Sequence, residues 1–141
     1  MARITLAQAN HIITVALAEA RRQSLRPLAV VVLDESGHLK AAQREDGATM
    51  SRTDIALGKA WAAVSMSTSS RSLLERARDN PAFFHALAVT HGGKFIPQTG
   101  AVLIRDANGE VLGAVGASGG TGDEDEAACI AGVEAAGLRC T

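Results

Sequence analysis

Aromatic side chains are nearly absent from this chain, and that shortage constrains its fold more than any other feature. It carries three Phe, one Trp and no Tyr, yet 47% of its residues are hydrophobic. Ala, Val, Leu and Ile must therefore fill the interior, and such small side chains pack to native density only where backbones approach closely. The length of 141 residues suits one domain, spanning 1–141, with one buried core.

The hydrophobic pattern resolves into helices and hairpins. Thr5 followed by Gln8 is a capping box, and Leu6, Ala9, Ile13, Ala16, Leu17 and Ala20 recur at helical spacing. Arg26-Pro27 ends that helix. Leu28 to Leu33 reads as a buried strand, Asp34-Glu35-Ser36-Gly37 as a turn and His38 to Arg44 as the returning strand. From Ser51 or Thr53 a helix that is apolar on nearly every face runs past Lys59. Ser67 to Ser70 caps a shorter helix that stops before Pro81, and Phe83-Phe84 is expected to anchor the loop beyond it in the core.

Nine of the 14 glycines fall between Gly92 and Gly122, where the chain changes from helical to strand-and-turn character. Ala101 to Arg105 and Glu110 to Ala117 flank Asn108-Gly109, a strong hairpin signal. Ser118-Gly119-Gly120-Thr121-Gly122 then feeds an alanine-rich helix that ends at Gly137. Hairpins joined through helices, in the order α-ββ-α-α-ββ-α, predict an α+β fold. Its sheet is antiparallel with helical cover, about four or five strands wide, and not a doubly wound parallel sheet.

Fourteen basic and fifteen acidic residues leave a formal charge of -1, which offers no footprint for a nucleic-acid backbone. No uninterrupted apolar run is long enough for a signal sequence or a membrane span, so a cytoplasmic location is expected. Cys129 and Cys140 are too few for a disulfide framework and read as reduced thiols. No CxxC or HExxH spacing occurs, and no metal ligands are assigned.

Several residues could carry chemistry. Lys59 has Ile55, Ala56, Ala62 and Ala63 three and four positions away, which sets an amine on an apolar stripe. It is either an anchor for an anionic group, an amine made reactive by those surroundings, or a stem that snorkels to solvent. His38, Arg44 and Asp46 fall on one alternating face of the first hairpin, where His38 is a candidate ligand or general base. The loop through Ser118 and Gly119 opens a helix, so its free N–H groups can hold a carboxylate. Two overlapping capping boxes, Thr121 with Glu124 and Asp123 with Glu126, explain the same loop without a ligand. His85 and His91 bracket a glycine-rich loop and are candidate ligands for haem iron, or ordinary loop residues. His11 reads as a surface residue.

The combination of Ser36-Gly37-His38-Leu39, Arg44-Glu45-Asp46-Gly47-Ala48, Lys59-Ala60, Gly92-Gly93 and the run Val111 to Gly119 resembles the GlcG/HbpS family over almost the whole chain. That family shows G-H-L, R-M-D-G-A, a helical K-A, a G-G loop, I-G-A-V-G-V-S-G and a D-E-x-A helix start. The resemblance implies a profilin-like fold, assembly into homo-oligomers, and a small-molecule ligand. Haem is the candidate cofactor, with corrinoids bound in the related PduO C-terminal domain. Glu45 departs from the family's usual Met, and Gly119 to Asp123 is a variable stretch.

Relatives beside catabolic enzymes for small organic acids imply an alternative, a cofactor-independent lyase, isomerase or tautomerase acting on a small carboxylated metabolite. Lys59 and Arg44 would then grip a carboxylate, while Asp46, Asp125 or Glu126 moves a proton. The binding reading instead uses His38, His85 or His91 as ligands, with Lys59, Ser118 and Gly119 around them. A third reading is a subunit with an assembly role alone.

Overall fold

A computed structural model of the chain describes residues 3–141. In chain order the elements are α1 (Leu6–Arg22), β1 (Ala29–Asp34), β2 (Leu39–Arg44), α2 (Ser51–Met66), α3 (Ser70–Asp79), α4 (Pro81–Thr90), β3 (Ala101–Arg105), β4 (Val111–Ser118), α5 (Gly122–Ala135) and β5 (Arg139–Cys140). The five strands form one antiparallel sheet in the order β2-β1-β4-β3-β5. This is a profilin-like α+β arrangement, and it holds the expected sequence of helices and hairpins.

Two elements go beyond that expectation. Pro81 does end α3, but it also occupies the first turn of α4, where a missing N–H costs nothing and a fixed φ suits the helix. The segment expected as a loop is therefore helical. Phe84 packs against Phe95 in a small apolar cluster, whereas Phe83 is 48% exposed and meets that cluster edge-on at Phe84. The second addition is β5, whose Cys140 pairs with Ile104 and extends the sheet beyond β3.

Side chains alternate across the sheet and build two apolar layers. Val30, Val32, Val102, Ile104, Val115 and Ala117 meet α1 and α5 on one face. Val31, Leu33, Ala101, Leu103 and Ala114 meet α2 on the other. The close approach demanded by the lack of aromatic volume occurs at glycines. A Cβ at Gly116 would overlap the Ala56 carbonyl oxygen and lie 3.2 Å from the Ala60 Cβ, so α2 rests almost directly on the β4 backbone. Gly132 does the same between α5 and α1, where an added Cβ would overlap the Ile12 carbonyl.

Caps and turns fix the ends of these elements. Thr5 and Gln8 close the capping box of α1, and Thr121 and Glu124 close that of α5. In the β3–β4 turn the Asp106 carboxylate accepts from the Asn108 and Glu110 amides, and Gly109 takes φ +82.

The Gly116→Ala variant should lose about 1–3 kcal/mol, because neither the helix backbone nor the sheet can yield to the added methyl. Urea denaturation checks this. A midpoint equal to that of the wild type would show that α2 is not seated on β4 as described.

Candidate functional site

The apolar stripe of α2 carries Lys59 to the end of β4, where the residue is only 6% exposed. Its ammonium donates to Asp125 Oδ2 at 3.1 Å and to the Ala117 carbonyl at 3.0 Å. Asp125, in the first turn of α5, is 1% exposed, and its Oδ1 accepts from the Gly120 amide at 3.0 Å. Burying either charge alone would be costly, so each is held by the other and by backbone groups that complete its hydrogen bonding. Gly100 makes this possible, since a Cβ there would lie 2.7 Å from the Lys59 Nζ. Its φ of +139 is also a conformation that favours glycine.

Above the pair opens a cleft of about 390 Å³ between the starts of α2 and α5, with Leu74 of α3 and the Gln98-Thr99 segment as its walls. Arg52, from the first turn of α2, reaches across to Ser118 Oγ at 3.3 Å. Thr99 is 7% exposed, lines the cleft, and its hydroxyl has no hydrogen-bond partner among the described residues. The same holds for the amides of Gly122 and Asp123, the first two residues of α5. Lys59 uses two of its three donors on protein atoms. The cleft therefore presents donors that protein acceptors leave free.

Arg71 of α3 braces the rim. Its guanidinium bonds both oxygens of Glu126, at 3.1 and 3.1 Å from Nε and Nη2 to the nearer contacts, and also contacts Asp123. Glu126 and Asp123 together raise the pKa of the Arg71 guanidinium. Of the two overlapping capping boxes expected in α5, Thr121 with Glu124 forms, while Glu126 turns to Arg71 instead.

The remaining sequence candidates lie elsewhere. Arg44 and Asp46 line a second cleft of about 490 Å³ with Leu17, Arg21 and Pro27, and Arg44 donates to the Ala48 carbonyl at 2.6 Å. Glu45, the departure from the family pattern, pairs with Arg21 at 3.0 Å and accepts from the Leu28 amide at 2.8 Å. His38 does not share a face with Arg44 and Asp46. A register shift between Val32 and Leu33 breaks the alternation, Leu39 and Arg44 pair with opposite ends of β1, and the His38 side chain is 81% exposed beside Asp34. His85 is exposed on α4. His91 stacks edge-on to Trp61, with centroids 4.8 Å apart, and beside Phe95. Ser118 borders the cleft, and Gly119 is buried next to it, where a Cβ would overlap the Pro27 carbonyl.

Sequence reasoning passed over Arg52 and Thr99. Arg52 looks like any polar residue opening a helix, and Thr99 sits in an irregular segment after Pro97, so neither carries a periodic signal. Among the described residues, no cluster of three His, Cys, Asp or Glu side chains is placed to hold a metal, and no helix is long and apolar enough to cross a membrane. Both cysteines are free, and burial pushes both thiols up, Cys129 far more than Cys140.

Comparison with known proteins places this geometry among relatives. Residues 4–134 match the family described as haem-degrading protein HbpS-like. An uncharacterized 15.0 kDa protein from the dhaT-dhaS intergenic region of Citrobacter freundii is 30% identical over 125 residues, covering 89% of this chain and 86% of the relative. The crystal structure of the Klebsiella pneumoniae protein ORFY superposes with a TM-score of 0.87 at 28% identity, over 97% of this chain and 92% of that one. A PduOC:heme complex shares the fold with a TM-score of 0.87 at 22% identity, over 97% of each chain.

Two outcomes follow from the buried pair and the thiols. Lys59→Met should destabilise by about 3–5 kcal/mol by stranding the Asp125 charge, and pairing it with Asp125→Leu should recover part of that loss. Additive single losses in denaturation would contradict a coupled pair. A thiol reagent at pH 8 should label native protein at Cys140 and leave Cys129 untouched until unfolding, as peptide mass spectrometry would read out.

Proposed function

We propose that this chain, which belongs to the HbpS-like family of haem-degrading proteins, is a binding protein for a small carboxylate-bearing molecule seated over Lys59 and Asp125. One observation carries the reading. Donors without protein acceptors converge on the cleft, namely the hydroxyl of the largely buried Thr99, the first two α5 amides and the third Lys59 N–H. Acceptor oxygens from a ligand complement such a convergent set of free donors. The position at a helix N-terminus adds favourable partial charge.

Haem is the ligand that the family and the PduOC:heme neighbour suggest. The cleft suits its carboxylate groups but not its iron, because no His, Cys, Met or Tyr lines it. The three histidines considered as iron ligands lie outside the cleft, and His91 is engaged with Trp61 and Phe95. Haem in this cleft would be gripped through one carboxylate by Arg52.

Binding is favoured over turnover by the fate of the acidic groups. Asp46 lines the other cleft, Glu126 is held by Arg71, and Asp125 already accepts from Lys59 and Gly120. Of these, Asp125 alone lies beside Lys59, and both of its oxygens already accept hydrogen bonds.

Amide chemical shifts test the site. Propionate titrated into labelled protein should shift Ser118, Gly122 and Asp123, and shifts confined to other regions would overturn the reading. For haem, absorbance titration should show saturable binding that weakens about tenfold in Arg52→Gln and persists in His38→Ala, His85→Ala and His91→Ala. Loss in one histidine variant with no response to Arg52→Gln would place haem outside the cleft.

A further inference from the structure

The charges around the cleft are divided unevenly, with carboxylates in excess at the α5 end. Lys59 is neutralised by Asp125 at 3.1 Å, and Asp123 and Glu126 share Arg71. Arg52 meets only the neutral hydroxyl of Ser118, so among the described lining residues it is the one cation without a carboxylate partner. The opposite end of the cleft is the first turn of α5, which carries Asp123, Glu124 and Asp125. Its amides and the Thr99 hydroxyl are open to an acceptor, but those three carboxylates repel a second negative charge there.

From this asymmetry we infer that the ligand is a monocarboxylate bearing a neutral oxygen acceptor, a hydroxyl or a carbonyl, away from its charged end. The carboxylate sits on the Arg52 guanidinium, whose planar fork suits two-point recognition. The neutral oxygen sits against Thr99, the α5 amides and Lys59. Arg52 and Thr99 are thus the specificity-determining residues, Arg52 selecting the single charge and Thr99 the second oxygen. A dicarboxylate would bring its second charge onto the acidic turn, and a plain fatty acid would leave the Thr99 hydroxyl and the α5 amides unpaired.

The inference rests on the binding reading given above and is tested apart from it. Propionate, lactate and malonate are titrated calorimetrically into wild type, Arg52→Gln and Thr99→Val at pH 7.5. Amide shifts report where each binds, and both variants should fold, since Arg52 is only half-buried and Val replaces Thr at near-constant volume.

The expected order is lactate tightest, propionate weaker by about threefold to tenfold, and malonate weaker still. Arg52→Gln should weaken lactate and propionate alike by about tenfold or more, and Thr99→Val should abolish the lactate preference while leaving propionate unchanged. Malonate binding as tightly as lactate, or a lactate preference that survives Thr99→Val, would overturn the inference while the cleft remains a carboxylate site. Failure of all three acids to shift the cleft amides would overturn the binding reading itself.

Discussion

Everything at the candidate site depends on how close a helix can lie to a sheet. Gly116 removes the side chain that would hold α2 away from β4, and Ala56 and Ala60 present little of their own. That contact brings the Lys59 ammonium within 3.0 Å of a β4 carbonyl. From a helix resting on larger residues, the same lysine would end elsewhere. Gly100 adds the second concession, clearing the volume that the ammonium fills. The shortage of aromatic residues and the presence of a buried charge are therefore two faces of one packing solution.

The pair itself is held more than it holds. Asp125 is fixed by the Gly120 amide and by the capping box of α5, and Lys59 by the wall of small residues around it. A buried ion pair is weak evidence of stability, because burial costs each charge much of what attraction returns. The pair leaves one Lys59 N–H free of protein acceptors, a donor held at a defined point. This agrees with a cleft in which spare donors stand beside the apolar side chains of Ile55 and Leu74.

Much of the fold could be read from residue order because the governing signals are local. Period, caps and the Asn108-Gly109 turn act over a few residues, and β1, β3, β4, α1, α2 and α5 appear close to where they are expected. The errors arise where one residue serves two roles or where register intervenes. Pro81 both stops α3 and starts α4, so a stop signal concealed a helix. The bulge at Val32/Leu33 breaks the alternation that would have grouped His38 with Arg44. Lys59 was conspicuous because a charge on an apolar stripe violates its surroundings. Arg52 and Thr99 violate nothing locally, and their meaning comes only from the chain segments folded around them.

The sheet's two covers belong to separate layers, α2 on one face and α1 with α5 on the other, and strands normally insulate one cover from the other. Here Lys59 and Asp125 join hands round the end of β4. The sandwich thus has a clasp at one end, and layers clasped at an end cannot breathe independently. Opening either cover at that end therefore means separating the two charges, so the ion pair guards both layers at once.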